Sequence, residues 1–349
     1  MAPSKKKRNQ SKSKPSSSKR RKIVETAPET PNQSEKTVPQ PTVPLQAQPV
    51  SPVDSLSSNV SFKLHQRLER YDDLEPSGII VDVEPPDDIK EYAYSTVLGS
   101  KKLRMVEQSK VVEAFMAKIA ELSRRNNMKH EWVGLIHNAI LHMNLENREA
   151  FRTVEDKEHR SRPDICVGLS ESHLREILYK DPDDAAAKEF WNKLKEKDGV
   201  ISDPYAKPQY LRFPFFIVEV RADFNGDNLH QAQNRAAVGA SGALWMLQML
   251  SEYRSGTKSA KSKKGFDVTN LPVFSLVSEG ATFQLWVHYR KMVPGNSMDK
   301  IEYSSAHVKS WHANGEEACY KILRNIYAIL RWGVGEYKYK VVEALKSYV

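Results

Sequence analysis

Cysteine is scarce in this chain, which holds only Cys166 and Cys319 among its 349 residues. Two cysteines provide no disulfide framework of the kind seen in small secreted proteins, and no Cys/His cluster has zinc-site spacing. Long apolar runs are also lacking, because stretches such as GALWMLQML fall far short of the roughly 20 residues that cross a bilayer. These absences argue against a disulfide-stapled protein and a membrane partner, and they favour a reducing compartment.

Aromatic residues are absent from residues 1–60, where 9 of the 19 prolines lie. A segment rich in Ser, Pro, Gln and Lys cannot bury enough apolar surface to offset its ordering entropy, so we expect a disordered tail. Two basic clusters occur in it: Lys5, Lys6, Lys7 and Arg8, then Lys19, Arg20, Arg21 and Lys22. They predict nuclear localisation through an import receptor, although a basic arm with salt-sensitive affinity for polyanions is compatible.

The chain beyond residue 60 carries little excess positive charge. Residues 1–60 carry 11 Lys/Arg and 4 Asp/Glu, whereas the remaining residues carry 42 and 40. A nearly neutral body argues against a broad surface that coats nucleic acid, but it permits a local cationic cleft. The basic run TKSAKSKKG at residues 257–265 is predicted to be a surface loop, with a nucleic-acid contact as the alternative.

Residues 61–349 show the periodicities of a single α/β domain with a core at about residues 105–335. Helical spacing of apolar residues occurs in 104–125, 130–143, 228–253 and 316–332, and residues 171–197 resemble a helix-rich insertion. Strand patterns occur near residues 78–83, 162–169, 213–224, 271–278 and 281–290, the last two joined by a Glu-Gly turn. The mixture predicts a mixed central sheet flanked by helices.

The stretch FPFFIVEVRADF, residues 213–224, has the composition of a buried strand but ends in charged residues. Side chains in a strand alternate with a period of two, so one face should carry Phe213, Phe215, Ile217, Glu219 and Arg221. A carboxylate and a guanidinium are therefore expected on one side of an apolar strand. They form either a structural ion pair or half of a metal-dependent site.

A second acid, Asp164, precedes the apolar residues of RPDICVGL, residues 162–169. Pro163 has no N–H for a sheet ladder, so it marks the start or edge of a strand. If the two strands are neighbours, Asp164 and Glu219 converge at one rim of the sheet. Two such carboxylates suit Mg²⁺, or Mn²⁺, which activates water and neutralises phosphate charge. The alternative for Asp164 is a turn-capping residue at strand entry.

These acids, Arg221 and the following helix resemble the PD-(D/E)xK nuclease superfamily, which has a restriction-endonuclease-like fold. The likeness is greatest to uncharacterised fungal proteins with a Pro-Asp strand, a strand FFLEVK, and a helix that begins Gln-Ala and continues Gly-Ala-x-Gly. The helix matches here are Gln231, Ala232, Gly239, Ala240 and Gly242. The resemblance spans about residues 90–335. It implies metal-dependent cleavage of nucleic acid, with Asp164 and Glu219 as metal ligands.

The same resemblance assigns Glu131, followed by Trp132, to a helical acid that often precedes the Pro-Asp strand, and Gln231 to a contact with phosphate or a metal-bound water. One departure is Arg221, which stands where the family has lysine. Arginine grips phosphate with two hydrogen bonds but is a poor proton-transfer group. The predicted function is therefore a Mg²⁺-dependent phosphodiesterase whose activity Arg221 is expected to impair.

Alternatives from different functional classes remain open at this point. The fold could serve as a catalytically inactive module that binds nucleic acid or protein in the nucleus, or the acids could be ion-paired in a structural protein. Glu131 could be a first-turn acid favoured by the helix dipole, and Gln231 an exposed polar residue. Gly239 and Gly242 each lower helix propensity by about 1 kcal/mol, so a packing reason is expected for both.

Overall fold

A computed structural model describes residues 70–99, 109–125, 128–143, 145, 148–155, 163–205, 209–222, 229–256, 268–294 and 300–349. Every described residue belongs to the compact unit Pro49–Val349. The predicted tail at 1–60, its two basic clusters and the basic run at 257–265 lie outside the described residues.

Seven strands and eight α-helices make up the described fold. The strands are β1 (Ile79–Val81), β2 (Phe151–Glu155), β3 (Ile165–Ser170), β4 (Leu211–Arg221), β5 (Val273–Glu279), β6 (Thr282–Val293) and β7 (Lys300–His312). The helices are α1 (Asp87–Glu91), α2 (Ser109–Leu122), α3 (Lys129–His142), α4 (Glu171–Leu178), α5 (Ala185–Asp198), α6 (Leu229–Gly256), α7 (Glu316–Trp332) and α8 (Lys338–Leu345). A π-helical turn, Gly333–Tyr337, joins α7 to α8.

All seven strands form one sheet in the order β1-β7-β6-β5-β4-β3-β2. The pairs β4–β5 and β1–β7 are parallel and the other four are antiparallel, so the sheet is mixed. The parallel pair β4–β5 is connected through α6, as a crossover between parallel strands requires. The prediction of an α/β fold with a mixed central sheet flanked by helices is confirmed.

Helices cover both faces of the sheet. On one face, Ala232 and Ala236 of α6 pack against Val277 and Trp286 of β5 and β6. On the other face, Trp332 of α7 meets the ring of Phe274 on β5, with centroids 5.5 Å apart. The helices α2 and α3 pack against each other and against α7, so they belong to this second layer. No described helix is long and apolar enough to cross a membrane.

Strand β4 is irregular near its start, which corrects one part of the predicted pattern. Val167 pairs with Phe216 and Gly168 with Pro214, so Phe215 is an extra residue in the ladder. Its ring packs against Trp332, 6.3 Å away between centroids, on the α7 side of the sheet. The prediction that Phe215 shares a face with Glu219 is therefore wrong. From Phe216 onward the register with β5 is regular, and the predicted alternation holds.

Among the strands and α-helices, four were not predicted from the sequence: α1, β2, β7 and α8. Strand β7 pairs with β6 along its length and joins β1 to the sheet. The helix α8 buries Val341, Val342 and Leu345, so close packing extends beyond residue 335. The hydroxyl of Tyr337 donates to the carbonyl oxygens of Phe213 and Pro214, each at 3.2 Å, and so supports the irregular start of β4.

Candidate functional site at the rim of β3 and β4

Asp164 and Glu219 meet at one rim of the sheet. Strands β3 and β4 are antiparallel, with Ile165 opposite Val218, so the next positions along the ladder are those of the two acids. The Oδ2 atom of Asp164 accepts a hydrogen bond of 2.8 Å from the backbone N–H of Val220. This bond ties the entry to β3 against the end of β4 and fixes the first carboxylate beside the second.

Glu219 is almost completely withdrawn from water, with 1% of its surface exposed. Burial raises the pKa of its carboxyl group to about 8, and the neighbouring charge of Asp164 acts in the same direction. The nearby cations Arg235, Lys129 and Arg221 act in the opposite direction but do not outweigh burial. A buried acid beside a second acid is the arrangement often found at functional sites.

Arg221 lies on the same face of β4 as Glu219, as the alternation predicts. Both residues pair in regular register with β5, Glu219 opposite Val277 and Arg221 opposite Glu279. The guanidinium is nearly inaccessible, since 4% of the residue is exposed. The carbonyl oxygen of Arg221 accepts a 3.1 Å bond from the N–H of Gly280 in the β5–β6 turn. Arg221 is thus a buried cation held within the sheet.

Two further cations, Lys129 and Arg235, were missed by the sequence reasoning. The Nζ atom of Lys129, the first residue of α3, lies 2.6 Å from Oδ1 of Asp164. The Nε atom of Arg235 on α6 lies 3.6 Å from Oε2 of Glu219, too far for a hydrogen bond. One signal was present for Lys129: a cation in the first turn opposes the helix dipole and needs a compensating charge.

The other two predicted site residues come from the same two helices. Gln231 is buried and lies four residues before Arg235 on α6, so the two share one helical face. Glu131 belongs to the first turn of α3, where its Oε2 atom accepts a 3.2 Å bond from the N–H of Met128. That bond caps the helix, and the position of Glu131 is that of the first-turn acid raised as the alternative from the sequence.

Helix α6 approaches the two site strands closely at Gly239. A Cβ added there would lie 3.0 Å from Cγ of Pro163 and 3.3 Å from Cδ1 of Ile217. Glycine therefore lets the helix rest directly on the residue that precedes Asp164. Gly242 differs, because a Cβ there would meet nothing within 4 Å. The packing role expected of both glycines is confirmed at Gly239 and is wrong at Gly242.

Residues 100–345 match the family described as a domain of unknown function, DUF7924. The chain belongs to this family. The match includes both site strands and the helices that supply Lys129, Gln231 and Arg235, whereas β1 and α1 precede it. A search of curated proteins finds no match, and neither does a search of solved structures.

The acidic pair of this DUF7924 domain is compatible with one Mg²⁺ or Mn²⁺. Among the described residues, no group of three or more His, Cys, Asp and Glu side chains could enclose a metal. Mg²⁺ commonly takes only one or two carboxylates and completes its shell with waters and phosphate oxygens. The buried Oε2 of Glu219 has no hydrogen-bond partner within the described structure, so one acceptor in the pair remains available. Asp164 and Glu219 thus match the number and type of protein ligands that Mg²⁺ commonly takes.

Proposed function

We propose that this DUF7924 domain is a Mg²⁺-dependent (or Mn²⁺-dependent) phosphodiesterase that acts on nucleic acid, with a site of the PD-(D/E)xK type. The observation that carries the proposal is the meeting of Asp164 and Glu219 at one rim, locked by the bond from the Val220 N–H. Acids 55 positions apart in the chain converge beside buried Arg221, which stands at the position of the motif's lysine. The seven-stranded mixed sheet is consistent with this kinship but does not identify it.

The roles of the residues follow from their chemistry. Asp164 and Glu219 would hold the ion, which supplies a water of lowered pKa and neutralises charge on the phosphate. Three cations, Lys129, Arg221 and Arg235, surround the two acids and give the site a surplus of positive charge for a phosphodiester anion. Gln231, on the same face of α6 as Arg235, is suited to orient a water or a phosphate oxygen through its amide.

A second candidate function is a module that binds nucleic acid or protein without catalysis. Two observations favour it. The ammonium of Lys129 already occupies an oxygen of Asp164, and the charge of Arg235 faces Glu219. Arg221, standing where related nucleases have lysine, is a poor proton-transfer group. A divalent ion would have to displace the ammonium of Lys129, so the site could be satisfied by its own cations.

The nuclear setting of either function rests on the two N-terminal basic clusters. Such clusters are typical of import signals, and they would bring the domain to genomic DNA or nuclear RNA. They lie outside the described residues, so nuclear localisation and the import receptor as partner remain predictions from the sequence.

The proposed activity is tested by metal binding and cleavage in Glu219→Gln. We expect the wild type to bind Mn²⁺ in calorimetry and to cleave at least one form among single- and double-stranded DNA and RNA. The variant replaces an anionic ligand with a neutral amide, so its Mn²⁺ affinity should fall at least about tenfold, equivalent to about 1.4 kcal/mol, and cleavage should be lost.

Glu171→Gln is the matched control, because Glu171 is also buried and accepts a 2.6 Å bond from Arg212. It follows the opposite end of β3, roughly 20 Å from Asp164 along the strand. This control should keep metal binding and cleavage. Absence of cleavage by the wild type would reject the phosphodiesterase and leave the binding module, and absence of nucleic-acid binding as well would leave ion-paired structural acids.

A further inference from the structure

The three cations of the site differ in their access to solvent. Arg221 is 4% exposed as a residue, whereas the side chains of Arg235 and Lys129 are 19% and 31% exposed. Met128, which directly precedes Lys129, is 68% exposed, so this end of α3 faces solvent. Of the three cations, Lys129 is therefore the most accessible to a ligand from solution and Arg221 the least.

Lys129 also lies close to both acids. Its Nζ atom is 2.6 Å from Oδ1 of Asp164, and its charge acts to lower the pKa of Glu219. An ammonium carries three N–H donors, and one bond to Asp164 leaves the others for a second anion. A compact ammonium on a flexible stem is a common phosphate ligand, and it can transfer a proton where guanidinium cannot.

The placement of Lys129 runs against a local preference. A cation in the first turn of a helix is disfavoured at an exposed position, because the helix dipole is positive there. Breaks of a local rule tend to occur at functional sites, where another interaction compensates for them. Here the compensating group is Asp164, which is one of the two proposed metal ligands.

We propose that Lys129 is the basic residue of this site that contacts the phosphate of a bound nucleic acid, and that Arg221 is a buried cation which holds the acid pair in place. The inference rests on the proposed function, because it assumes a nucleic-acid ligand. It holds equally for a nuclease and for a binding module. In this arrangement Lys129 of α3 supplies the ammonium group that the PD-(D/E)xK motif carries on its strand, where β4 has Arg221.

Binding of a short oligonucleotide, measured in chelator across a series of salt concentrations, tests this assignment. Lys129→Met keeps the apolar stem and removes the charge. Because the variant cannot neutralise that phosphate, its affinity at low salt should fall about tenfold, and the slope of log K against log salt should decrease by about 0.7–0.9. Lys129→Arg should restore both values, because it restores a phosphate-binding cation.

Two control variants separate this phosphate interaction from general effects of charge. Lys118→Met removes a cation that pairs with Glu121 on α2, and it should leave affinity and slope unchanged. Lys193→Met removes a cation that pairs with Glu189 on α5, and it should also leave affinity and slope unchanged. Urea unfolding of each variant would show that the fold is retained.

The outcomes separate the assignment of Lys129 from the proposed activity. Unchanged binding by Lys129→Met overturns the assignment and leaves the activity standing. Weaker binding by Lys129→Met, together with a wild type that cleaves nothing, supports the assignment and rejects the catalytic function. A wild type that binds no nucleic acid, with or without Mn²⁺, overturns both.

Discussion

At the scale of single residues, Glu219 shows how burial outweighs nearby charge. Three cations lie close enough to favour its ionised form, yet its pKa rises, because the carboxylate loses its hydration inside the sheet. The geometry of Arg235 explains part of this balance. At 3.6 Å its Nε atom provides an attraction to Oε2 of Glu219 but no hydrogen bond. A cation that interacts more strongly than Arg235 would therefore favour the ionised form of the Glu219 carboxyl group.

The raised pKa predicts a pH dependence of stability in metal-free protein. Between its ordinary value of 4.5 and about 8, folded Glu219 keeps a proton that the unfolded chain releases, so the contribution of Glu219 to stability falls as pH rises. Below this window both states are protonated, and above it both are ionised. Urea unfolding in the presence of chelator measures this effect. The free energy of unfolding of Glu219→Gln, relative to that of the wild type, should be higher at pH 8 than at pH 5. Parallel changes in the two proteins would contradict the assigned pKa.

Individual site residues were predictable only where the chain marks them locally. Asp164 follows a proline at a strand entry, and Glu219 interrupts an apolar strand, so both could be found in the sequence. Lys129 and Arg235 look like ordinary helix residues, and only the tertiary fold brings them to the acids. A cation whose role depends on a partner 35 positions away, as with Lys129 and Asp164, leaves only a weak local trace.

At the scale of elements, the packing of α6 on β3 and β4 determines how the site is supported. Gly239 places the helix against Pro163 and Ile217, the residues that precede Asp164 and Glu219 by one and two positions. Interiors pack closely and deform little, so a change at this interface is transmitted to the acids. Gly242, nearly one turn later, has open space around it and provides a comparison within the same helix.

The two glycines predict different responses to alanine. Gly242→Ala should raise the free energy of unfolding by up to about 1 kcal/mol, because alanine favours the helix. Gly239→Ala should be less stable than Gly242→Ala by about 1–3 kcal/mol, because its methyl group must displace Pro163 or Ile217. Urea denaturation gives both values, and calorimetry should show weaker Mn²⁺ binding only in Gly239→Ala. Equal stability of the two variants would mean that Pro163 and Ile217 move aside at little energetic cost.

The missed elements lack the regular patterns on which strand prediction depends. Strand β7 buries Ser304 and Ser305, and Val308 is an extra residue between the pairs His307–Trp286 and Lys309–Leu285. That irregularity breaks the period of two. Strand β2 has only five residues and a mixed composition, which periodicity cannot distinguish from a loop. In β4 the extra residue Phe215 likewise shifted the predicted face, although the strand itself was predictable.

At the scale of the whole molecule, the described core is completed by the segment after residue 335, whose helix α8 packs against α4 and α6. Tyr337, Val341 and Leu345 are fully buried there, and the Tyr337 hydroxyl reaches back to the start of β4. The fold class was predictable from the alternation of helical and strand patterns. This closing segment was not, because the hydroxyl of Tyr337 bonds to a residue more than a hundred positions earlier.

A chain that ends at residue 335 should fail to fold cooperatively. Burial of a large apolar side chain contributes about 1.5–3 kcal/mol, so loss of Tyr337, Val341 and Leu345 approaches the roughly 5–15 kcal/mol by which domains are stable. Near-UV circular dichroism and urea unfolding would show the loss. A chain of residues 61–349, which lacks only the predicted tail, should unfold like the full chain. A sharp unfolding transition in the shorter chain would show that the closing segment is dispensable.

The long reach of Tyr337 also has a consequence for biosynthesis. It bonds to Phe213, 124 positions earlier, and a ribosome that adds about 5–20 residues per second takes roughly 6–25 s to make that interval. During this time the nascent chain displays a strand with four aromatic or aliphatic residues in succession, Phe215, Phe216, Ile217 and Val218, and no completed layer to cover it. We therefore expect chaperones that bind apolar segments of nascent chains to bind β4.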